Sequence, residues 1–161
     1  MQEQVEQTEP VIVEATDQNF VATVVEESKK RPVVVDLWAS WCGPCRTLGP
    51  ILEKVAGERS GAFLLAKLDV DANPYTAGQF GVQSIPTVVA FRDGQPIDGF
   101  VGAIPEPMVN EFVDRLMPSA SWTNQNFWPE GAAAAAVMIP SDKDVNRLVV
   151  RVAQQFFEGL L

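Results

Sequence analysis

Residues 33–46, VVVDLWASWCGPCR, pass from an apolar run holding a single acid straight into two cysteines three apart. An apolar stretch of strand length, apolar on both faces, reads as a strand in a sheet covered from both sides, so Val33–Trp38 is assigned to one. Trp41, Gly43 and Pro44 mark a tight turn after it. A helix over residues 43–58 follows, with Leu48, Ile51, Leu52 and Val55 along one face and Pro50 inside, where it should kink the axis.

Upstream of this stretch, Val11–Val13 is a short apolar strand. Thr16 or Asp17 then caps a helix whose apolar positions Phe20, Val21, Val24 and Val25 recur at helical spacing as far as Lys29–Lys30. Downstream, Ala62–Val70 reads as a strand and Asn73–Phe80 as a short helix ended by Gly81. Thr87–Phe91 and Ile97–Val101 flank the turn Arg92-Asp93-Gly94-Gln95, a hairpin signal. Pro105 opens a last helix through Val109, Phe112, Val113 and Leu116, closed by Pro118. The order β-α-β-α-β-α-β-β-α predicts an α/β fold with a mixed sheet and helices on both of its faces.

The chain has 161 residues, of which 47% are hydrophobic, enough to bury a core. A net charge of −9 excludes a nucleic-acid partner, which needs a basic surface. The start, MQEQVEQTEP, lacks the basic and apolar parts of a secretory signal. Ala132–Ile139, the most apolar run, falls far short of the roughly 20 residues that span a bilayer. No membrane role is expected, and the chain reads as a soluble cytoplasmic protein.

With two cysteines and no histidine in the whole chain, a structural zinc site lacks its ligands. Side chains three apart in the first turn of a helix are neighbours, close enough for a disulfide. Cys42 falls at the helix N-terminus, where free N–H groups and the helix dipole favour a negative sulfur. Pro44 is tolerated there because its missing donor would have had no partner. The pair therefore reads as a redox switch: Cys42 attacks a substrate disulfide, and Cys45, one turn deeper, resolves the mixed disulfide. Asp36 is either a carboxylate directed to a sheet edge or local hydrogen bond, or a buried acid whose pKa rises because desolvation disfavours its charge. Lys67, alone among apolar neighbours in FLLAKLDV, reads from its surroundings as a snorkelling strand lysine.

"WCGPC" after "VVVDLWAS", together with "SIPT" and "GFVGA", resembles the thioredoxin family over about residues 8–118; three separated segments agree in order and spacing. The resemblance implies the thioredoxin fold and a protein dithiol–disulfide oxidoreductase that acts on protein substrates bearing disulfides. It implies no cofactor beyond the Cys42–Cys45 pair, which an external thioredoxin reductase would recharge. It also implies that Asp36 takes the proton from Cys45 and that Lys67 lies near Asp36 and biases it. The Ile85–Pro86 bond should be cis, bringing its loop to the cysteines and leaving the Ile85 backbone to pair with an extended substrate segment. Trp41, Gly43, Pro44, Ile85, Pro86, Gly102 and Ala103 would make an apolar docking surface, with Trp38 in the core.

Within the family, "CRTLGPILEKV" and "DGFVGAIPEPMVNEFVDRLMPS" resemble a branch of bacterial thioredoxin-domain co-chaperones that carry a tetratricopeptide-like tail. The chain departs from that branch. Such a repeat takes about 34 residues and at least about three are needed to close a core, more than residues 119–161 can hold. This extension divides into an aromatic linker, 119–131, with Trp122, Phe127 and Trp128; an Ala-rich run, 132–140; and an amphipathic helix over about 142–158. The alternative function it suggests is a redox-active co-chaperone, with the tail binding a chaperone or unfolded clients.

Overall fold

The computed structural model describes residues 10–117. The sequence readings for the first residues, for the Pro118 stop and for the extension 119–161 lie outside them.

Five strands, β1 (Ile12–Glu14), β2 (Val33–Trp38), β3 (Leu64–Asp69), β4 (Thr87–Arg92) and β5 (Gln95–Val101), form one sheet in the order β1-β3-β2-β4-β5. β1 and β2 flank β3 in parallel, and β4 and β5 continue the sheet antiparallel. This is the mixed sheet expected. The most apolar strand, β2, has neighbours on both sides, where burial on both faces favours such a run.

Side chains alternate across the sheet, and two cores result. Val33, Val35 and Leu37 pack on one face with Phe20, Val24, Phe80 and Phe91. Val34 points to the other face, into the helices α1 (Gly43–Glu58) and α3 (Glu106–Leu116), against Leu48, Leu52, Val55, Val109 and Phe112. Asp36 and Trp38 continue that second face by the period of two, so the acid of β2 points under α1, toward the end of the strand where α1 begins.

The N-terminal helical segment corrects the sequence reading. A π-helical stretch, Val21–Glu26, runs into a 3-10 turn, Glu27–Lys29, in place of an α-helix. Val21, expected on the apolar face, is exposed, while Phe20, Val24 and Val25 are buried. The run is rich in β-branched residues, weak α-formers, so packing of those three side chains on the sheet dominates its form. Thr16 opens it: Asn19 N–H donates to Thr16 Oγ1 at 3.2 Å and Thr16 N–H to Asn19 Oδ1 at 2.7 Å, a reciprocal cap. Asp17 instead accepts from Thr76 N–H at 2.8 Å, capping α2 (Pro74–Gln79) from across the molecule. The hairpin between β4 and β5 turns through Asp93 and Gly94, with φ of 53° and 79°, both in the left-handed region that a tight two-residue turn demands.

Candidate active site

α1 starts at the C-terminal end of β2, and Cys42 is its N-cap residue, with extended dihedrals φ −83° and ψ 109°. Cys42 N–H donates to Ala39 O at 3.2 Å, closing the turn after β2. The Cys45 N–H, one of the donors a helix start leaves without a backbone partner, donates to Cys42 Sγ at 3.2 Å. Cys42 and Cys45 form a disulfide across 5.3 Å between α-carbons, within the range a disulfide spans unaided. Both cysteines are buried and pack with Ala39, Trp38, Val70 and Ile85.

A second wall comes from the segment before β4. The Ile85–Pro86 bond is cis, and Ile85 O lies 3.7 Å from Cys42 Sγ. Gly102 N–H donates to Pro86 O at 2.8 Å, tying the end of β5 to the same loop. Gly102 has φ of +89°, where a side chain would be strained. Around the disulfide, Trp41 is 67% exposed. Gly43, Pro44 and Ala103 are exposed, Ile85 and Gly102 half-buried, and Pro86 buried. The Trp41 indole Nε1–H donates to Asp71 Oδ2 at 2.8 Å. Trp38 is half-buried.

Behind the disulfide lies a cleft of about 310 Å³ whose lining includes Asp36, Trp38, Cys45, Arg46, Glu53 and Lys67. Asp36 is buried, and its Oδ1 has no hydrogen-bond partner among the described residues. Burial pushes its carboxyl up to about 6, opposed by the Lys67 ammonium and reinforced by the Glu53 carboxylate. Of the two sequence readings for this acid, the buried one holds. Lys67 stands opposite Asp36 in the β2–β3 register, yet its ammonium is engaged by the Glu53 carboxylate and sits 5.5 Å from the centre of the Trp38 ring.

The site thus collects residues from four elements. Cys42 and Cys45 belong to the start of α1, Asp36 to β2, Lys67 to β3, and Ile85 to the loop before β4. Sequence reasoning missed Asp71, which holds Trp41, and Glu53, which holds Lys67. Glu53 carried a signal, since Cys45, Gly49 and Glu53 recur every four residues and so lie along one stripe of α1. Among the described residues, no group of three or more His, Cys, Asp or Glu could hold a metal ion, and no helix is long and apolar enough to cross a membrane.

Comparison with known proteins adds relatives to this geometry. The thioredoxin family model matches residues 11–115. Thioredoxin 2 of Chlorobaculum tepidum is 48% identical over 101 residues, covering 63% of this chain and 91% of that protein. Thioredoxin of Mycobacterium tuberculosis is 50% identical over 91 residues, 56% of this chain and 77% of its own. The bifunctional thioredoxin reductase/thioredoxin of Mycobacterium leprae is 50% identical over 93 residues, 58% of this chain and 20% of that protein.

Proposed function

We infer the steps at this site from its family: the chain belongs to the thioredoxin family and is a protein-disulfide reductase that works through its own Cys42–Cys45 pair. Residues 8–118 are the redox domain in this reading.

In the reduced protein, the Cys42 sulfur at the helix N-terminus is held as a thiolate by the Cys45 N–H and the helix dipole. It attacks one sulfur of a substrate disulfide, forming a Cys42–substrate disulfide and releasing the first substrate thiolate. Asp36, as the carboxylate, takes the Cys45 proton. The Cys45 thiolate then attacks Cys42 Sγ, forming the internal disulfide and releasing the second substrate thiolate. The substrate gains two electrons and the protein loses two, and the proton on Asp36 leaves to the released thiolate or to water. A base with a midpoint of about 6 is matched to this task near neutral pH, where it is both free to accept a proton and basic enough to hold one.

The substrate lies across Trp41, Gly43, Pro44, Gly102 and Ala103, with its backbone along Ile85 as an added strand. Lys67 acts on Asp36 through its charge. A thioredoxin reductase returns the pair to the dithiol, a reading supported by the Mycobacterium leprae relative, whose name joins both proteins in one polypeptide. A reducing compartment such as the cytoplasm suits this cycle.

The observation that carries the mechanism is the Cys45 N–H at 3.2 Å from Cys42 Sγ at the head of α1. Reduction of insulin disulfides by dithiothreitol tests it. Cys42→Ser should fall to the uncatalysed rate, and Cys45→Ala should accumulate mixed disulfides visible on a non-reducing gel. Wild-type turnover by Cys42→Ser would refute the assignment.

A further inference from the structure

Glu53 stands outside the steps just described, although it reaches into the cleft where they occur. Its carboxylate binds the Lys67 ammonium, the cation closest in register to Asp36. The pair sits at the cleft mouth, with side chains 41% exposed for Glu53 and 27% for Lys67. A β-carbon at Gly49 would lie 3.9 Å from Lys67 Nζ, an ordinary van der Waals distance, so the ammonium passes close to the backbone of α1. Further in, the Asp36 Oδ1 atom is buried with no partner among the described residues.

Among the described residues, the charged and titratable groups that line the cleft with Asp36 come from two elements. β3 contributes Lys67, and α1 contributes Cys45, Arg46 and Glu53; β4 places Val88 opposite. The Arg46 guanidinium is turned to Ser40 O at 2.9 Å. Lys67 is therefore the cation that decides how far Asp36 is neutralised. A lysine is a point charge on a flexible stem and moves to whichever anion holds it.

We propose that Glu53 is a positioning residue for disulfide exchange: it anchors the Lys67 ammonium at the mouth of the cleft and so leaves the Asp36 carboxyl as an unpaired proton acceptor beside Cys45. This rests on the reading of Asp36 as the acceptor. Two effects of Glu53 act in the same direction. Its own charge opposes ionisation of Asp36, and its hold on Lys67 keeps the opposing cation from forming an ion pair with Asp36. Without Glu53 the acid becomes a weaker base.

The test uses the oxidised full-length chain, with the Asp36 side-chain carboxyl followed by carbon NMR across pH. In Glu53→Gln the Asp36 midpoint should fall by about one to three pH units, the range an unshared opposite charge commands. Insulin reduction at neutral pH should drop several-fold. Glu53→Asp, which keeps the anion, should restore a midpoint near that of the wild type. An unmoved midpoint in Glu53→Gln, even with lowered thermal stability, would make the ion pair a structural one and overturn the proposal. Asp36→Asn separates the two readings through the pH profile of insulin reduction. A changed profile there, with an unmoved midpoint in Glu53→Gln, sinks the role of Glu53 alone; an unchanged profile sinks both.

Discussion

Replacing Asp36 by asparagine should stabilise the oxidised protein at about pH 8 relative to wild type, and the advantage should disappear in acid. The folded carboxyl is pushed from 3.8 to about 6, chiefly by burial. A raised midpoint means that the native state holds the proton more tightly than the unfolded chain. Its contribution to stability is therefore complete below the unfolded value and is lost as pH rises through the folded one. At 1.36 kcal/mol per pH unit, the ionised Asp36 costs the fold about 3 kcal/mol above its folded midpoint. Asparagine never ionises, so the stability difference between variant and wild type should grow by about that amount between about pH 3 and pH 8. The desolvation cost of the amide shifts both ends equally and leaves the slope intact. Urea unfolding followed by far-UV circular dichroism at several pH values measures it. A stability difference that stays constant with pH would refute the burial of a titrating carboxyl at position 36.

Further predictions concern the frame around the site. Ser28 Oγ accepts from Gly94 N–H at 2.8 Å and donates to Val25 O at 2.6 Å; Ser28→Ala should cost about 1–3 kcal/mol in urea unfolding by stranding that N–H. Gly94→Ala should also destabilise, by about 1–3 kcal/mol, because φ is +79° there, in the left-handed region an L side chain rarely adopts. Asp17→Ala removes the acceptor for Thr76 N–H and should cost about 1 kcal/mol at neutral pH, as lost caps do. Against a desolvation cost, bonding to Thr76 holds the Asp17 carboxyl below its ordinary value of 3.8. That effect stabilises above the unfolded midpoint and fades as pH falls through the folded one, so the loss in Asp17→Ala should shrink in strong acid.

Local pattern was enough for the parts of the protein whose physics is local. β2 over Val33–Trp38 and α1 over Gly43–Glu58 match their sequence assignments at both ends, because an apolar run and a helical stripe with a turn between them carry their own boundaries. The Cys42–Cys45 bridge is likewise contained in one helical turn. Long-range placement was not legible in this way. The family resemblance sets Lys67 near Asp36, its partner in the β2–β3 register, but the fold of α1 over β3 gives Lys67 to Glu53, and the turn after β3 brings Asp71 to Trp41. Asp17, which reads locally as a cap for its own segment, serves α2 instead. Each of these pairings joins charges or donors distant in the chain. Their partners are selected by which strands lie side by side and how deeply the groups are removed from water, quantities that exist only once the sheet has formed.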